Sequence, residues 1–206
     1  PFKVHLDRLV ESKGIYDIVT DITTWSVPYP DNFGSTFRVV LGPAWTGREG
    51  SLVQGVTQTS RSDTTLLTAS GDFSKHNVFI GKEYQFLYEF TEPTIKTEVQ
   101  GRQTALAGGI LKIRKFNVDY FRSGFFKMRV TAEGRDAFDH IFTGRILGSP
   151  LNKIGNIPFE TGSFKKLILS DARSLKIEII SDSYLPCAFT GADWEGNYVT
   201  RSISRR

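Results

Sequence analysis

Short segments in which apolar and polar residues alternate, separated by turn-forming residues, run along most of this chain. In residues 84–90 the aromatic side chains occupy every second position and so share one face of an extended segment. A period of two indicates strands, because a helix would repeat its apolar positions every three to four residues. Further strands are predicted at residues 37–41, 78–80, 167–169 and 175–180. The pattern predicts an all-β protein of antiparallel sheets, in a sandwich or propeller-like arrangement with little helix.

The segment from residue 110 to 121 is strongly alternating but changes phase once. Leu111 and Ile113 share one face, whereas Phe116 and Val118 would lie on the opposite face of an unbroken strand. One extra residue in the strand would bring all four side chains to the same side. The slip near Arg114 therefore predicts a β-bulge.

Two local predictions concern the residues that follow. Alternation resumes at residues 126–130 after a turn at residues 122–124, so the segments on either side of the turn are expected to pair as a hairpin. Residues 132–142 have apolar side chains near helical spacing, which allows a short helix, and a strand is the alternative.

The stretch from residue 97 to 109 lacks a strong period and contains small and polar residues around Gly101 and Gly108. Such a composition is typical of a connection between modules. The sequence therefore predicts a β-rich module at residues 1–107 and a second β-rich, C-terminal module at residues 108–206.

Composition limits the class of protein. A chain of 206 residues with 39% hydrophobic residues can bury a core, and its net charge of +4 does not by itself indicate a nucleic-acid partner. Cys187 is the single cysteine, which excludes an intramolecular disulfide framework. No run approaches the ~20 apolar residues of a membrane span. We expect a soluble protein without a membrane span, cut from a longer polypeptide because strand-like alternation starts at once.

A search for catalytic or metal-binding motifs gives little. His5, His76 and His140 are scattered along the chain, without a spacing that would hold a metal from one element. There is no G-x-S-x-G motif, and no signature of a catalytic thiol surrounds Cys187. The sequence predicts no catalytic residue, no metal site and no cofactor.

Two sets of side chains keep a glycan-directed function open. Two carboxylates that meet in a cleft could cleave a glycan, and exposed aromatic rings could bind one. The available carboxylates are Asp63, Asp72, Glu83, Glu89 and Glu92. The aromatic candidates are Trp25, Tyr29, Phe33 and Trp45. The alternative is that the carboxylates are simply solvated and the rings belong to the core or to subunit contacts.

Basic residues are concentrated between residues 110 and 130, where six of them accompany only one acidic residue, Asp119. On the predicted hairpin they could face a polyanion such as DNA. The alternative is a solvated face, or protection of a sheet edge against pairing. The candidate DNA-facing residues are Lys112, Arg114, Lys115, Arg122, Lys127 and Arg129.

The C-terminal segment carries a recognisable motif. Residues 177–202 read IEIISDSYLPCAFTGADWEGNYVTRS, which resembles the C-terminal signature of tail tubular protein B, the nozzle protein family of short-tailed bacteriophages. Residues 108–130 and 6–30 are similar, in the same order, to further segments of that family. The matching signature positions are Ile179, Asp182, Ser183, Leu185, Pro186, Ala188, Trp194, Glu195, Gly196, Arg201 and Ser202.

The resemblance implies a structural role in the tail of a virion. Members of the family form a six-membered ring at the distal end of the tail, attach to the tail adaptor protein and border the channel for DNA, which they contact transiently. Tail fibres are a further implied partner, and no covalent chemistry or cofactor is implied. Family members are several times longer, so the resemblance assigns this chain to their C-terminal part.

The signature also has a physical interpretation of its own. Asp182 begins a turn, and Trp194 is expected to be a large buried anchor. Glu195 and Arg201 could form an ion pair across a turn at residues 196–197. Three functions therefore remain open, namely a virion structural protein, a glycan-binding or glycan-cleaving tail module, and a nucleic-acid-binding domain. The resemblance favours the first.

Overall fold

The computed structural model describes residues 4–31, 34–99, 101–105, 109–145 and 158–200. These ranges contain sixteen strands and one short 3-10 turn, Ala172–Ser174, so the prediction of an all-β protein is confirmed. The described residues form two compact units, the first from within 1–85, 143–159 and 182–186, and the second from within 86–142, 160–181 and 187–206. The predicted division into β-rich modules at residues 1–107 and 108–206 stays a prediction.

The first unit consists of two antiparallel sheets. The three-stranded sheet has the order β1-β7-β4, and the four-stranded sheet has the order β2-β3-β6-β5. The strands are β1 Asp7–Ser12, β2 Ile15–Asp17, β3 Ile22–Val27, β4 Phe37–Leu41, β5 Thr57–Ser60, β6 Thr65–Ser70 and β7 Val78–Lys82.

Alternate side chains of both sheets form the core of this unit. Trp25 and Val27 point inward from β3, and Leu67 of β6 is the cross-strand partner of Trp25. Val39 of β4 and Ile80 of β7 meet them from the other sheet. All five side chains are at most 1% exposed. The two sheets therefore pack face to face, as in a β-sandwich.

The second unit is also built from antiparallel sheets, two of which share one core and form a second β-sandwich. One sheet has the order β14-β11-β16, a second has the order β13-β12-β15-β8, and β9 and β10 form a separate pair. The strands are β8 Phe86–Glu89, β9 Lys96–Val99, β10 Arg102–Ala105, β11 Gly109–Ser123, β12 Phe125–Ala132, β13 Phe138–Thr143, β14 Glu160–Asp171, β15 Leu175–Ser181 and β16 Phe189–Thr200.

The bulge predicted near Arg114 is confirmed. In both pairings of β11, with β14 and with β16, the register shifts between Ile113 and Lys115. The extra residue brings Ile113 and Phe116, three positions apart, to the same buried side, at 0% and 3% exposed. The long strand thus keeps one apolar face along its whole length.

The predicted hairpin of β11 and β12 is wrong. β11 pairs with β14 and β16, while β12 belongs to the other sheet, so the chain turns a corner between sheets near Gly124. Val118 of β11 and Phe126 of β12 are both 0% exposed, and they enter the same core from opposite sheets. The Ser123 hydroxyl holds the corner, because it accepts a 3.0 Å bond from the Ala188 N–H.

The helix considered for residues 132–142 does not form, and the alternative of a strand is correct. A turn follows β12, and β13 then runs as an edge strand of the same sheet. The Arg129 guanidinium of β12 donates two bonds, of 2.7 and 2.9 Å, to the Asp139 carboxylate of β13. Phe142 turns into the core at 8% exposure. These cross-strand contacts outweigh a weak local helical preference.

Aromatic rings fill the core of the second unit. The Phe126 ring lies at the centre, with centroids 4.7 Å from Phe142, 5.1 Å from Phe189, 5.4 Å from Phe164 and 5.6 Å from Tyr120. These rings come from five strands of both sheets. A single side chain therefore contacts most of the elements that the unit must hold together.

We expect Phe126→Ala to lower the free energy of unfolding by about 3–5 kcal/mol, because it leaves a cavity at the centre of this cluster. Urea denaturation followed by tryptophan fluorescence measures the loss. Phe138→Ala is the matched control, since the Phe138 side chain is 62% exposed, and it should change stability little. Equal midpoints for the two variants would contradict the central position of Phe126.

Candidate interaction surfaces

One face of the β14-β11-β16 sheet packs on the core, and the opposite face carries mainly charged and polar side chains. We call this second surface the outer face. Strand alternation and cross-strand register define its members. They are Ser163, Lys165, Leu167 and Asp171 of β14, Lys112, Arg114, Lys115, Asn117 and Asp119 of β11, and Asp193, Glu195, Asn197 and Val199 of β16.

A charged row crosses the outer face. The Glu195 carboxylate accepts a 2.9 Å bond from the Lys115 ammonium, and the Lys165 ammonium lies 3.6 Å from its other oxygen. The bond from Lys115 holds the pKa of Glu195 below its ordinary value. The row is solvated, so it orients side chains across the three strands more than it stabilises them.

A polar cluster lies beside this row, centred on Asn117, which is only 6% exposed. Its Nδ2 donates to Asp119 Oδ1 at 3.2 Å and to Asp193 Oδ2 at 3.4 Å. The Ser163 hydroxyl donates to the same Asp119 carboxylate from the other neighbouring strand. The cluster therefore links all three strands, with Asn117 bonded to β16 and Asp119 bonded to β14.

The candidate DNA-facing residues of β11 differ in their surroundings. Lys112 and Arg114 are exposed, and Arg114 is the extra residue of β11 in its pairing with β16. Lys115 is partly buried and bound to Glu195. Arg122 is exposed at the end of the strand with a positive φ of 44°. The structure thus leaves Lys112 and Arg114 as two solvated cations near each other on the outer face.

The remaining two candidates lie on the other sheet. The Lys127 ammonium is 5.6 Å from the centroid of the Phe125 ring, and Arg129 is held by Asp139. Both point away from the core, because Phe126 and Met128, which alternate with them along β12, are buried. Since β11 and β12 are in opposite layers, the six basic residues do not share one face.

The signature segment is divided between the two units. Residues 182–186, in the first unit, turn sharply, with the Leu185 N–H donating to the Ser183 hydroxyl at 3.2 Å and Pro186 buried. The carbonyl of Tyr184 in the same turn accepts a 2.9 Å bond from the His5 N–H. Asp182 is exposed and lines a polar groove with Glu83. The turn predicted at Asp182 is thus present.

The second part of the signature forms β16 rather than the predicted turn. Gly196 lies within the strand, and a Cβ there would come 2.7 Å from the Lys112 carbonyl oxygen, so glycine permits the close approach of β11. Trp194 is only partly buried, against the expectation of a fully buried anchor. Glu195 pairs with Lys115, whereas Arg201 and Ser202 lie outside the described residues.

Comparison with known proteins identifies the family. The sequence model of the family described as "Bacteriophage nozzle protein" matches residues 1–205. The chain belongs to the bacteriophage nozzle protein family. It is also 28% identical over 209 residues to "Tail tubular protein gp12" of Escherichia phage T7, an alignment that covers 98% of this chain and 26% of the relative. The chain thus spans about a quarter of that relative's length.

Membership of the nozzle family confirms the resemblance found in the sequence. It assigns the chain to the tail of a bacteriophage virion, as a structural component. The signature residues that the structure describes are positioned by backbone turns and close strand packing, which is consistent with this structural role.

Among the described residues, the aromatic side chains suggested for a glycan platform belong to or pack against the core of the first unit, Tyr29 included. Trp25 is 1% exposed in the core of the first unit. The Trp45 ring packs 6.0 Å from the Phe73 ring, and its indole N–H donates to the Asn77 carbonyl at 3.1 Å. Phe33 lies outside the described residues.

Several of the candidate carboxylates have cationic or hydroxyl partners. Glu83 is 2.8 Å from the Arg38 guanidinium, and Glu89 is 3.1 Å from the Lys176 ammonium. Asp72 accepts bonds from Ser74, which lower its pKa. A carboxyl group that acts as the general acid in glycan cleavage would need a raised pKa, which is the opposite of the shift at Asp72.

Neither a metal-binding cluster nor a membrane-spanning helix occurs in the described ranges. They contain no group of three or more His, Cys, Asp and Glu side chains that could hold a metal ion. No helix in them is long and apolar enough to cross a membrane. Cys187 is buried, and burial raises the pKa of its thiol.

The open lateral sides of the second sandwich were not anticipated from the sequence. Between β8 and β16 an apolar groove of roughly 500 Å³ is lined by Phe86, Phe90, Ile179 and Phe189, among others. Strand alternation alone could not reveal it, because its lining comes from segments about a hundred residues apart. The sheet order shows that each strand lies at the edge of its own sheet, and the contact of Phe86 with Phe189 brings the two edges side by side.

The charged row on the outer face can be tested by titration. We expect Lys115→Met to raise the pKa of Glu195 towards its ordinary value, because the stabilising cation is removed. NMR of the Glu195 side-chain carboxyl carbon measures it, with Lys127→Met on the other sheet as control. Since the folded pKa is depressed, the row contributes stability above the ordinary glutamate range and loses it as pH falls through the folded pKa. An unchanged Glu195 pKa in Lys115→Met would contradict the assignment.

Proposed function

We propose that this chain is part of a nozzle ring at the distal end of the phage tail and borders the conduit through which DNA is ejected. The match of the nozzle family along residues 1–205 carries this proposal. A ring of identical subunits, attachment to the tail adaptor protein and contact with tail fibres are its implied assembly. Because the chain spans 26% of its T7 relative, the rest of each subunit would supply further contacts.

Transient contact with DNA is the second part of the proposal. Lys112 and Arg114 are exposed on the outer face, whereas the neighbouring Lys115 is paired with Glu195. Cations of this kind attract phosphates without reading base sequence. A DNA conduit needs contacts that do not depend on base sequence, because the whole genome must pass through and no sequence should be held back.

The proposed role involves no catalysis. A structural family and a candidate site made of surface ion pairs and polar turns both support this part of the proposal. No observation favours the glycan-directed alternative, since the indole of Trp25 is in the core and Glu83 and Glu89 are paired with cations.

The ring is tested by mass in solution. Sedimentation velocity over a hundredfold concentration range, on this chain and on the product of the complete gene, should show a closed oligomer for the complete product. The opposite result is a complete product that stays monomeric at every concentration and binds or cleaves bacterial polysaccharide. That result would replace the nozzle proposal by the glycan-directed one.

The DNA contact is tested by the salt dependence of binding. If both cations contact phosphates, Lys112→Gln/Arg114→Gln should reduce the slope of log affinity against log salt by about 1.8, or ~0.9 per contact. Lys75→Gln/Lys13→Gln, on exposed residues of the first unit, is the matched control. Fluorescence anisotropy with a duplex of random sequence measures both. A slope that falls equally in the control would show that only overall charge matters.

A further inference from the structure

We propose that neighbouring copies of this chain join side by side through the second sandwich. The β16 edge of one copy would pair with the β14 edge of the next, so that the β14-β11-β16 sheet continues from subunit to subunit. This inference rests on the ring of the proposed function and specifies which strands close it.

Two long strand edges are open in the described part of the second unit. β14 and β16 each have twelve residues, and there each pairs with β11 alone. An open edge presents unpaired N–H and C=O groups, which makes it a template for another strand. β16 contains no proline, lysine or arginine, the residues that commonly block such pairing.

The two open edges lie on opposite sides of the sandwich, and each is accompanied by an edge strand of the second sheet. β13 lies beside β14, where the Phe142 and Phe164 ring centroids are 5.8 Å apart. β8 lies beside β16, where Phe86 and Phe189 are 6.1 Å apart. The unit thus has one β13/β14 side and one β8/β16 side.

Apolar side chains are exposed on both sides. On the β13/β14 side, Phe138 and Ile141 are 62% and 56% exposed. On the β8/β16 side, Leu87 and Tyr88 are 55% and 53% exposed, and Tyr88 lines the apolar groove. Exposed apolar residues grouped along an edge are typical of an interaction surface. Placing the two sides together would bury both groups at once.

Midway along the two edges, the charges on the outer face are of opposite sign. There β14 contributes Lys165, whereas β16 contributes Asp193 and Glu195. Both strands are antiparallel to β11 and so run parallel to each other. Asn117 is the cross-strand partner of both Lys165 and Asp193. A copy displaced sideways without a vertical shift therefore places its Lys165 beside Asp193 of its neighbour.

This contact joins two different surfaces of the same molecule. Head-to-tail interfaces of that kind produce rings when the rotation closes, whereas a self-complementary surface produces dimers. The occupant of the β16 edge is therefore a second copy of this chain, and the geometry favours a ring over an isolated pair.

A disulfide between positions 165 and 193 tests the pairing. Within one chain these positions are separated by two strand spacings, about 9–10 Å. That exceeds the limit of about 7 Å between Cα atoms that a disulfide can bridge. Between paired copies the separation is one spacing, about 5 Å. A disulfide in Lys165→Cys/Asp193→Cys must therefore join two molecules.

The complete gene product carrying Lys165→Cys/Asp193→Cys should give, after mild oxidation, a ladder of covalent multimers on a non-reducing gel. The single variants, which retain Cys187, should give no ladder. Lys165→Cys/Val199→Cys is the offset control, because six residues displace the second thiol by about 20 Å along the strand. A ladder of equal intensity in the offset control would overturn the level register.

The outcome separates this inference from the proposed function. An oligomer of the unmodified protein without a ladder in Lys165→Cys/Asp193→Cys would overturn the edge pairing and leave the ring intact. A monomeric protein at every concentration, also without a ladder, would overturn both.

Charge reversal provides a second test that needs no oxidation. Asp193→Lys and Lys165→Asp should each weaken assembly at least tenfold, with circular dichroism confirming that each variant is folded. An equimolar mixture should assemble again, because alternating copies then place opposite charges at every contact. Failure of the mixture to recover, with both variants folded, would contradict the pairing of these two edges.

Discussion

The bulge at Arg114 is the constraint on which the second unit depends. β11 is fifteen residues long and is the central strand of its sheet. Without the extra residue, either Leu111 and Ile113 or Phe116 and Val118 would face solvent, since strand faces alternate with a period of two. The bulge keeps all four on the core side and shifts the register of both neighbouring strands at the same place. That shift also determines which residues lie side by side on the outer face, where Asn117 is the cross-strand partner of Lys165 in β14 and of Asp193 in β16.

The sequence predicted what depends on local periodicity. The strand at Phe37–Leu41, the bulge and the apolar faces all follow from alternation within a single segment. Pairing was not predictable in the same way, because alternation shows which face is buried but not which strand lies alongside. The short turn between β11 and β12 favoured a hairpin. However, Val118 and Phe126 both pack in the core between two sheets, so their strands belong to opposite sheets. The prediction that Trp194 is a buried anchor was wrong for a related reason. β16 lies at an edge of its sheet, so the Trp194 side chain stays partly exposed.

The candidate site shows the same division. The signature was recognisable because its residue types are fixed by local geometry, as with Gly196 against the Lys112 carbonyl. The basic residues were grouped because they are close in sequence, but the corner at Gly124 sends Lys127 and Arg129 to the opposite layer. The lateral apolar residues were missed altogether. Leu87 and Phe138 can be recognised as part of an interaction surface only when the sheet order shows that each lies on an edge strand.

An open edge is a hazard for a free subunit, because it can pair with any exposed strand. A protein destined for a closed ring has a reason to retain such edges, since the neighbouring copy satisfies the backbone groups that stay open in the monomer. The selection of the correct partner must then come from the side chains. Lys165 and Asp193 can supply it, because a slip of one residue would turn one of the two charges to the opposite face. Hydrogen bonds along the edge would give the contact its strength, and the charges would give it a single register.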